Sequence, residues 1–276
     1  MTSLRKVYSL IATAIMVLSL VSVAGCEDDR GDADEATTGD ITVFAASSLT
    51  AAFEEIGQSF HDANPDATAT FNFGGSQDLR TQLEQGASAD VVAFADTKQM
   101  DSAVESGVAN RDYTIFAHNH LVVIVPADNP AGIKSLQDLA NPGVKLVFAN
   151  ADVPVGNYSR QFLDKASADP KLGATYKDDV LANLVSEEAN VKQVATKVQL
   201  GEADAGIVYT SDVTAELAED VVMIEIPDAL NVIADYPISQ TLVSSNEMAA
   251  AAFIEYVLGK EGQAILESHG FIPVEP

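Results

Sequence analysis

From Ile41 onward the chain alternates short runs of β-type residues with stretches of helical spacing, and this alternation limits the fold more than any other feature. Strands are expected at 41–46, 67–73, 90–95, 115–126, 144–149, 205–210, 221–226 and 231–244. Helices are expected between them, at Leu49–Ala63, Ser76–Gln85, Lys98–Ser106, Gly156–Ala168, Val191–Leu200, Glu247–Gly259 and Glu261–His269. Val91-Val92-Ala93-Phe94-Ala95 is apolar throughout, as suits a strand covered by helices on both faces. In the first helix Leu49, Phe53, Ile56 and Phe60 recur at helical spacing and form one stripe to be buried. A doubly wound α/β sheet follows from this order of elements.

The theme restarts after residue 120. His120–Pro126 (HLVVIVP) opens a second set of strands and helices, and Val232–Val243 is a long β-rich run with Pro237 at its middle. A chain that leaves one α/β unit, builds another and returns needs two such crossings. Two lobes are therefore expected, one from 41–121 plus 238–276 and one from 122–237, each a mainly parallel sheet. Ligands in open α/β sheets sit beyond the carboxyl ends of the strands, which here is the cleft between lobes.

Two joins point into such a cleft. Phe44-Ala45-Ala46-Ser47-Ser48-Leu49-Thr50 and Phe73-Gly74-Gly75-Ser76-Gln77-Asp78-Leu79 each break from a strand into small residues, a serine and a helix. The first N–H groups of a helix lack intrahelical partners and carry partial positive charge. A serine at such a join can cap the helix, or several joins can converge on an anion. The pattern alone leaves both readings open.

The N-terminal end has a different character. Arg5 and Lys6 precede an apolar run, Tyr8–Ala24, closed by Val23-Ala24-Gly25-Cys26. That is the layout of a secretory signal peptide over 1–25, and its ending resembles a bacterial lipobox with Cys26 as the lipid-bearing residue. A single membrane-spanning helix is the alternative, but the run is near the minimum length for one and no basic stop follows. Glu27–Asp40 has no large apolar side chain and reads as a disordered tether, spanning at most about 50 Å at roughly 3.5 Å per residue. Cys26 is the only cysteine, so no internal disulfide is available. The formal charge is −26, and removal of Arg5 and Lys6 with the leader makes it −28. Such a chain is a poor partner for nucleic acid or anionic membrane surfaces. Any anionic ligand must be held by local donors.

The chain resembles the molybdate-binding proteins of bacterial ABC importers. The resemblance is carried by FAASSLTAAF at 44–53, FGGSQDL at 73–79, SADVVAFAD at 88–96, VPVGNYSRQFL at 153–163 and GEADAGIVYTSDV at 201–213, and in order it covers essentially all of 41–276. It implies a two-lobed periplasmic-binding-protein fold of type II, an extracytoplasmic location and no enzymatic activity. It further implies a tetrahedral oxyanion, molybdate or tungstate, in the cleft, a membrane permease as partner, a monomeric receptor and no cofactor. Carried over by position, the ligand set is the hydroxyls of Ser48 and Ser76, the backbone N–H groups of Val155 and Val191, and the Tyr209 hydroxyl. The family often has alanine at the place of Val155, and a richer serine run at the place of Gly74-Gly75-Ser76. Simple alternatives exist for each: helix caps for the serines, a core role for Tyr209, and ordinary apolar positions for the valines.

A donor-only set suits a fully deprotonated dianion. Hydrogen phosphate carries a proton that needs an acceptor, and leaving it unpaired costs about 1–3 kcal/mol. Sulfate has no such proton and must be rejected by size. Other chemistries find less support. His118-Asn119-His120 offers a candidate metal pair for a secreted hydrolase, but no third ligand is suitably spaced. No nucleophile elbow, zinc-protease motif or phosphate-binding loop is present. Asp212, after the tyrosine, is expected to cap the next helix.

Overall fold

In Val43–Ala45 and Val91–Phe94 successive side chains turn to opposite faces, and both faces are buried. Val43, Ala45, Val91 and Ala93 join the main core, whereas Phe44, Val92 and Phe94 join a second cluster behind the sheet. The computed structural model describes residues 37–275. The expected leader, Cys26 and most of the expected tether lie outside the described residues. The tether's last two residues do not behave as one, because Gly39 and Asp40 already pair with Ala67 and Thr68.

The first sheet contains β1 (Gly39–Ala46), β2 (Ala67–Gly74), β3 (Val91–Ala93), β4 (Thr114–Asn119), β10 (Ala234–Gln240) and β11 (Ile272–Pro273), in the order β11-β4-β10-β3-β1-β2. The second contains β5 (Leu121–Pro126), β6 (Leu146–Ala149), β7 (Leu184–Glu188), β8 (Ala205–Tyr209) and β9 (Val221–Glu225), in the order β7-β6-β8-β5-β9. The helices are α1 (Thr50–Ala63), α2 (Ser76–Glu84), α3 (Thr97–Glu105), α4 (Pro154–Ala168), α5 (Tyr176–Ala182), α6 (Val191–Gln199), α7 (Glu247–Leu258) and α8 (Lys260–Ser268).

The mainly parallel sheets expected of each lobe are mixed. β1 pairs parallel with β2 and β3, but β10 runs antiparallel to β3 and β4. In the second sheet β6 is parallel to β7 and β8, but β5 is antiparallel to β8 and β9. The cause lies in the crossings. The expected strand 115–126 is two strands with His120 between them, one in each sheet, so β5 enters its sheet directly rather than through a helix. The return run does the same: β10 begins at Ala234 and pairs wholly within the first sheet, so the chain changes sheets before Ala234 and not at Pro237. Pro237 sits at a register shift in β10, where its missing N–H is tolerated.

The expected stripe of α1 is fully buried, with Leu49, Phe53, Ile56 and Phe60 at 0% exposure. Phe53 and Phe60 meet Phe253 of α7 edge-on, with ring centroids 6.0 and 5.4 Å apart, a favoured arrangement for aromatic pairs. Leu79 and Leu83 of α2 and Met100 of α3 cover the opposite face of the sheet. Three elements were not expected. They are α5, the edge strand β7 and the two-residue β11.

Candidate functional site

Four helical starts converge at the carboxyl ends of strands. β1 runs into a 3₁₀ turn, Ser47–Leu49, that leads into α1, and β2 runs through Gly75 into α2. From the second sheet, β6 leads to α4 with Pro154 in its first turn, and the chain after β7 leads to α6 behind the Asn190 cap. Between them lies a small cavity of about 10 Å³, close to the least space that holds a single small guest such as one water. Ser48, Ser76, Val155, Val191 and Tyr209 all line it, so the structure brings the five expected residues together. No charged residue is in the lining.

Neither serine is a helix cap. No side chain caps the Ser47–Leu49 turn, α1 or α2, and Gly75 holds the N-cap position before Ser76. Ser76 Oγ instead accepts a hydrogen bond from Ala95 N–H at 3.1 Å, which leaves its proton free to donate elsewhere. Ser48 Oγ lies 2.9 Å from the hydroxyl of Tyr236. If Tyr236 is the donor in that pair, the Ser48 proton is likewise free.

Ser48, Ser76, Val155 and Val191 occupy the first or second positions of their helical segments. Their N–H groups therefore lack intrahelical acceptors. Gly156 makes the close docking of α4 possible, because a Cβ there would stand 2.0 Å from the Asn150 carbonyl oxygen and 2.4 Å from that of Ala149.

The Tyr209 hydroxyl is buried and has no hydrogen-bond partner among the described residues. Burial, with nearby tyrosines and carboxylates added, pushes its pKa well above the ordinary value, so it stays protonated and can donate. A buried donor without a partner costs about 1–3 kcal/mol, and natural proteins keep few of them. Three other buried side-chain atoms lack partners among the described residues: Gln77 Oε1, Asp96 Oδ2 and Asp212 Oδ1. Gln77 follows Ser76 and Asp96 follows Ala95 in the cavity wall, while Asp212 Oδ2 accepts from Tyr209 N–H at 3.0 Å. Unsatisfied polarity is thus concentrated at the cleft.

Asp212 does not cap a following helix as expected. Its carboxylate reaches back to Tyr209 within a 3₁₀ turn, Thr210–Asp212. Burial raises the carboxyls of Asp96 and Asp212 to about 6. Lys192, in the first turn of α6, points its charge at Asp212, Nζ to Oδ1 3.7 Å. The two histidines belong elsewhere: His118 Nδ1 pairs with Asp235 at 2.7 Å, neither histidine lines the cavity, and no cluster of three metal-ligating side chains occurs among the described residues.

Tyr236 and Ala95 were missed in the sequence. Tyr236 stands 188 residues from the serine it orients, and no local pattern marks such a partner. Ala95 acts only through its N–H.

Residues 41–272 match the family model for bacterial extracellular solute-binding proteins. The chain is 39% identical over 231 residues to the molybdate-binding protein ModA of Mycobacterium tuberculosis H37Rv, covering 84% of each. Among solved structures it resembles the substrate-binding domain of a putative molybdenum ABC transporter from Clostridium difficile, at 31% identity, TM-score 0.63, covering 86% of this chain and 99% of that one. It also resembles the sulfate-binding protein SubI of M. tuberculosis, at 18% identity and TM-score 0.77, over 86% and 88% of the two chains. The last likeness concerns the fold alone.

Proposed function

The chain belongs to the bacterial extracellular solute-binding proteins, and we propose that it is the receptor of an ABC importer for molybdate, with tungstate as an equivalent ligand. The observation that carries this reading is the buried, unpartnered Tyr209 hydroxyl, facing a small uncharged cavity where serine hydroxyls and helix starts meet. The anion takes hydrogen bonds from Ser48, Ser76 and Tyr209 and from the N–H groups of Val155 and Val191. Each charge-assisted bond is worth on the order of 1.5–3 kcal/mol. With the backbone N–H groups of Ser48 and Ser76 added, seven such bonds give about 10–20 kcal/mol gross against an association cost of about 4–15 kcal/mol. Micromolar or tighter affinity is reached without Arg or Lys.

The lobes in this reading follow the sheets: 41–120 with the C-terminal part, and 121 to the return crossing just before Ala234. The anion bridges donors from both and so favours the closed form, which the permease recognises. Cys26 carries the lipid that holds this monomeric receptor at the outer face of the membrane. The donor-only lining supports a second reading, in which another fully deprotonated tetrahedral anion such as sulfate is the guest.

A thermal-shift panel tests both. Stabilisation by molybdate and tungstate, with none by sulfate, phosphate or Zn²⁺, is the expected result. A shift with sulfate alone establishes the second reading, and a shift with Zn²⁺ alone refutes both.

A further inference from the structure

Gln77 and Gln99 reach from the first lobe to two carbonyls of the second. Gln77, on α2, donates through Nε2 to the Ala189 carbonyl at 2.9 Å. Gln99, on α3, donates through Nε2 to the Asp152 carbonyl at 3.1 Å. The places of these acceptors are informative. Ala189 directly precedes Asn190, the cap of α6, whose first residue is Val191. Asp152 directly precedes Val153, the cap of α4, whose second residue is Val155. Each of the two second-lobe helix starts assigned to the anion is thus held from across the cleft, one residue before its cap.

We infer that Gln77 and Gln99 form a two-point closure latch, setting how long the closed receptor retains its anion without touching it. The inference rests on the anion-receptor reading above and adds positioning residues to it.

The geometry around each contact fits this role. Gln99 is buried, and its side-chain amide is oriented by Arg80, whose Nε donates to Oε1 at 2.9 Å, while its backbone N–H donates to the α3 cap Asp96 Oδ1 at 2.8 Å. With Oε1 occupied by Arg80, the amide nitrogen faces Asp152. At the other point the approach is close enough to exclude any side chain on Gly75. A Cβ there would lie 2.5 Å from the Ala189 oxygen and 2.4 Å from the Gln77 amide nitrogen. Backbone of one lobe therefore rests directly against backbone of the other where Gln77 makes its bond. An exposed amide bond contributes little alone, but these two act on the open–closed equilibrium, and any ligand that needs the closed form feels their loss as faster escape.

Gln77→Met and Gln99→Met keep side-chain length and remove the donor. The test uses wild type and both variants, each carrying one fluorophore per lobe, with energy transfer read before and after molybdate and release timed by chasing with tungstate. Each variant is expected to release molybdate about 2- to 10-fold faster than wild type, the range for one modest hydrogen bond, with the association rate unchanged. The melting temperature of the ligand-free protein is expected to stay at the wild-type value, which a merely structural role would lower. Gly75→Ala is expected to reduce the closed fraction at saturating molybdate. Release rates equal to wild type in both variants, with closure intact, overturn the latch. Wild type that neither binds nor closes with molybdate overturns the receptor reading instead.

Discussion

The Tyr209 hydroxyl donates to nothing within the described chain, so its removal separates function from folding. Tyr209→Phe is expected to leave ligand-free stability unchanged or raised by up to about 1 kcal/mol, while molybdate affinity falls by about 1.5–3 kcal/mol. Thermal unfolding and titration calorimetry read the two effects, and an equal loss in the ligand-free protein contradicts the assignment. Ser76→Ala is expected to cost about 1–3 kcal/mol of affinity and, by leaving the buried Ala95 N–H unpaired, a similar amount of ligand-free stability; unchanged affinity by calorimetry contradicts its role. The buried carboxyl of Asp96 makes a prediction about pH. Burial raises it from 3.8 to about 6, so the folded state binds its proton more tightly than the unfolded chain does. The resulting stability is present below about pH 4 and lost as pH rises through about 6. Asp96→Asn keeps an acceptor for Gln99 N–H, and is expected to raise the melting temperature at pH 7 clearly more than at pH 4.5. Equal shifts at both pH values contradict that account. At this scale the strand–serine–helix joins were visible in the sequence, and the choice of Ser48 and Ser76 came through family resemblance. The partners that aim them, Tyr236 and the Ala95 N–H, are tertiary contacts with no local signature.

Helix α4 shows what an element contributes beyond its residues. Its start is seated against the end of β6 because Gly156 has no side chain. Gly156→Ala forces overlap with two backbone oxygens, and is expected to lower stability by about 1–3 kcal/mol and to weaken anion binding by displacing Val155 N–H. Circular-dichroism melts and calorimetry measure both, and a variant with normal affinity contradicts the placement of α4. Helices with a strong apolar stripe, such as α1 with Phe53, Ile56 and Phe60, were legible from spacing alone. The seven-residue α5 was not, because YKDDVLA is too short to show a stripe. The half-exposed LVSEE of β7 has two apolar residues and then charges, so its strand character comes from pairing with β6. The break at His120 was hidden because both flanking runs are β-type, and nothing local announces that they join different sheets.

For the whole molecule the central relation is between a strongly acidic chain and an anionic guest. The acidic balance offers no attraction, and in the proposed reading the cleft compensates through hydroxyls and helix starts fixed in advance by two sheets. Two lobes were legible from the restart at HLVVIVP and the long run around Pro237, but mixed strand directions were not, since they depend on how each crossing enters its sheet. If Cys26 is the anchor, Cys26→Ser is expected to move the protein from the membrane fraction to the soluble one with molybdate affinity unchanged; continued sedimentation with membranes contradicts it. The most direct test of the central relation is anomalous diffraction at a tungsten edge from crystals grown with tungstate. The expected map has one strong peak between Ser48, Ser76, Val155, Val191 and Tyr209, with no lysine or arginine nitrogen in hydrogen-bond reach. A peak resting on a cationic side chain, or lying outside that cavity, would contradict the account.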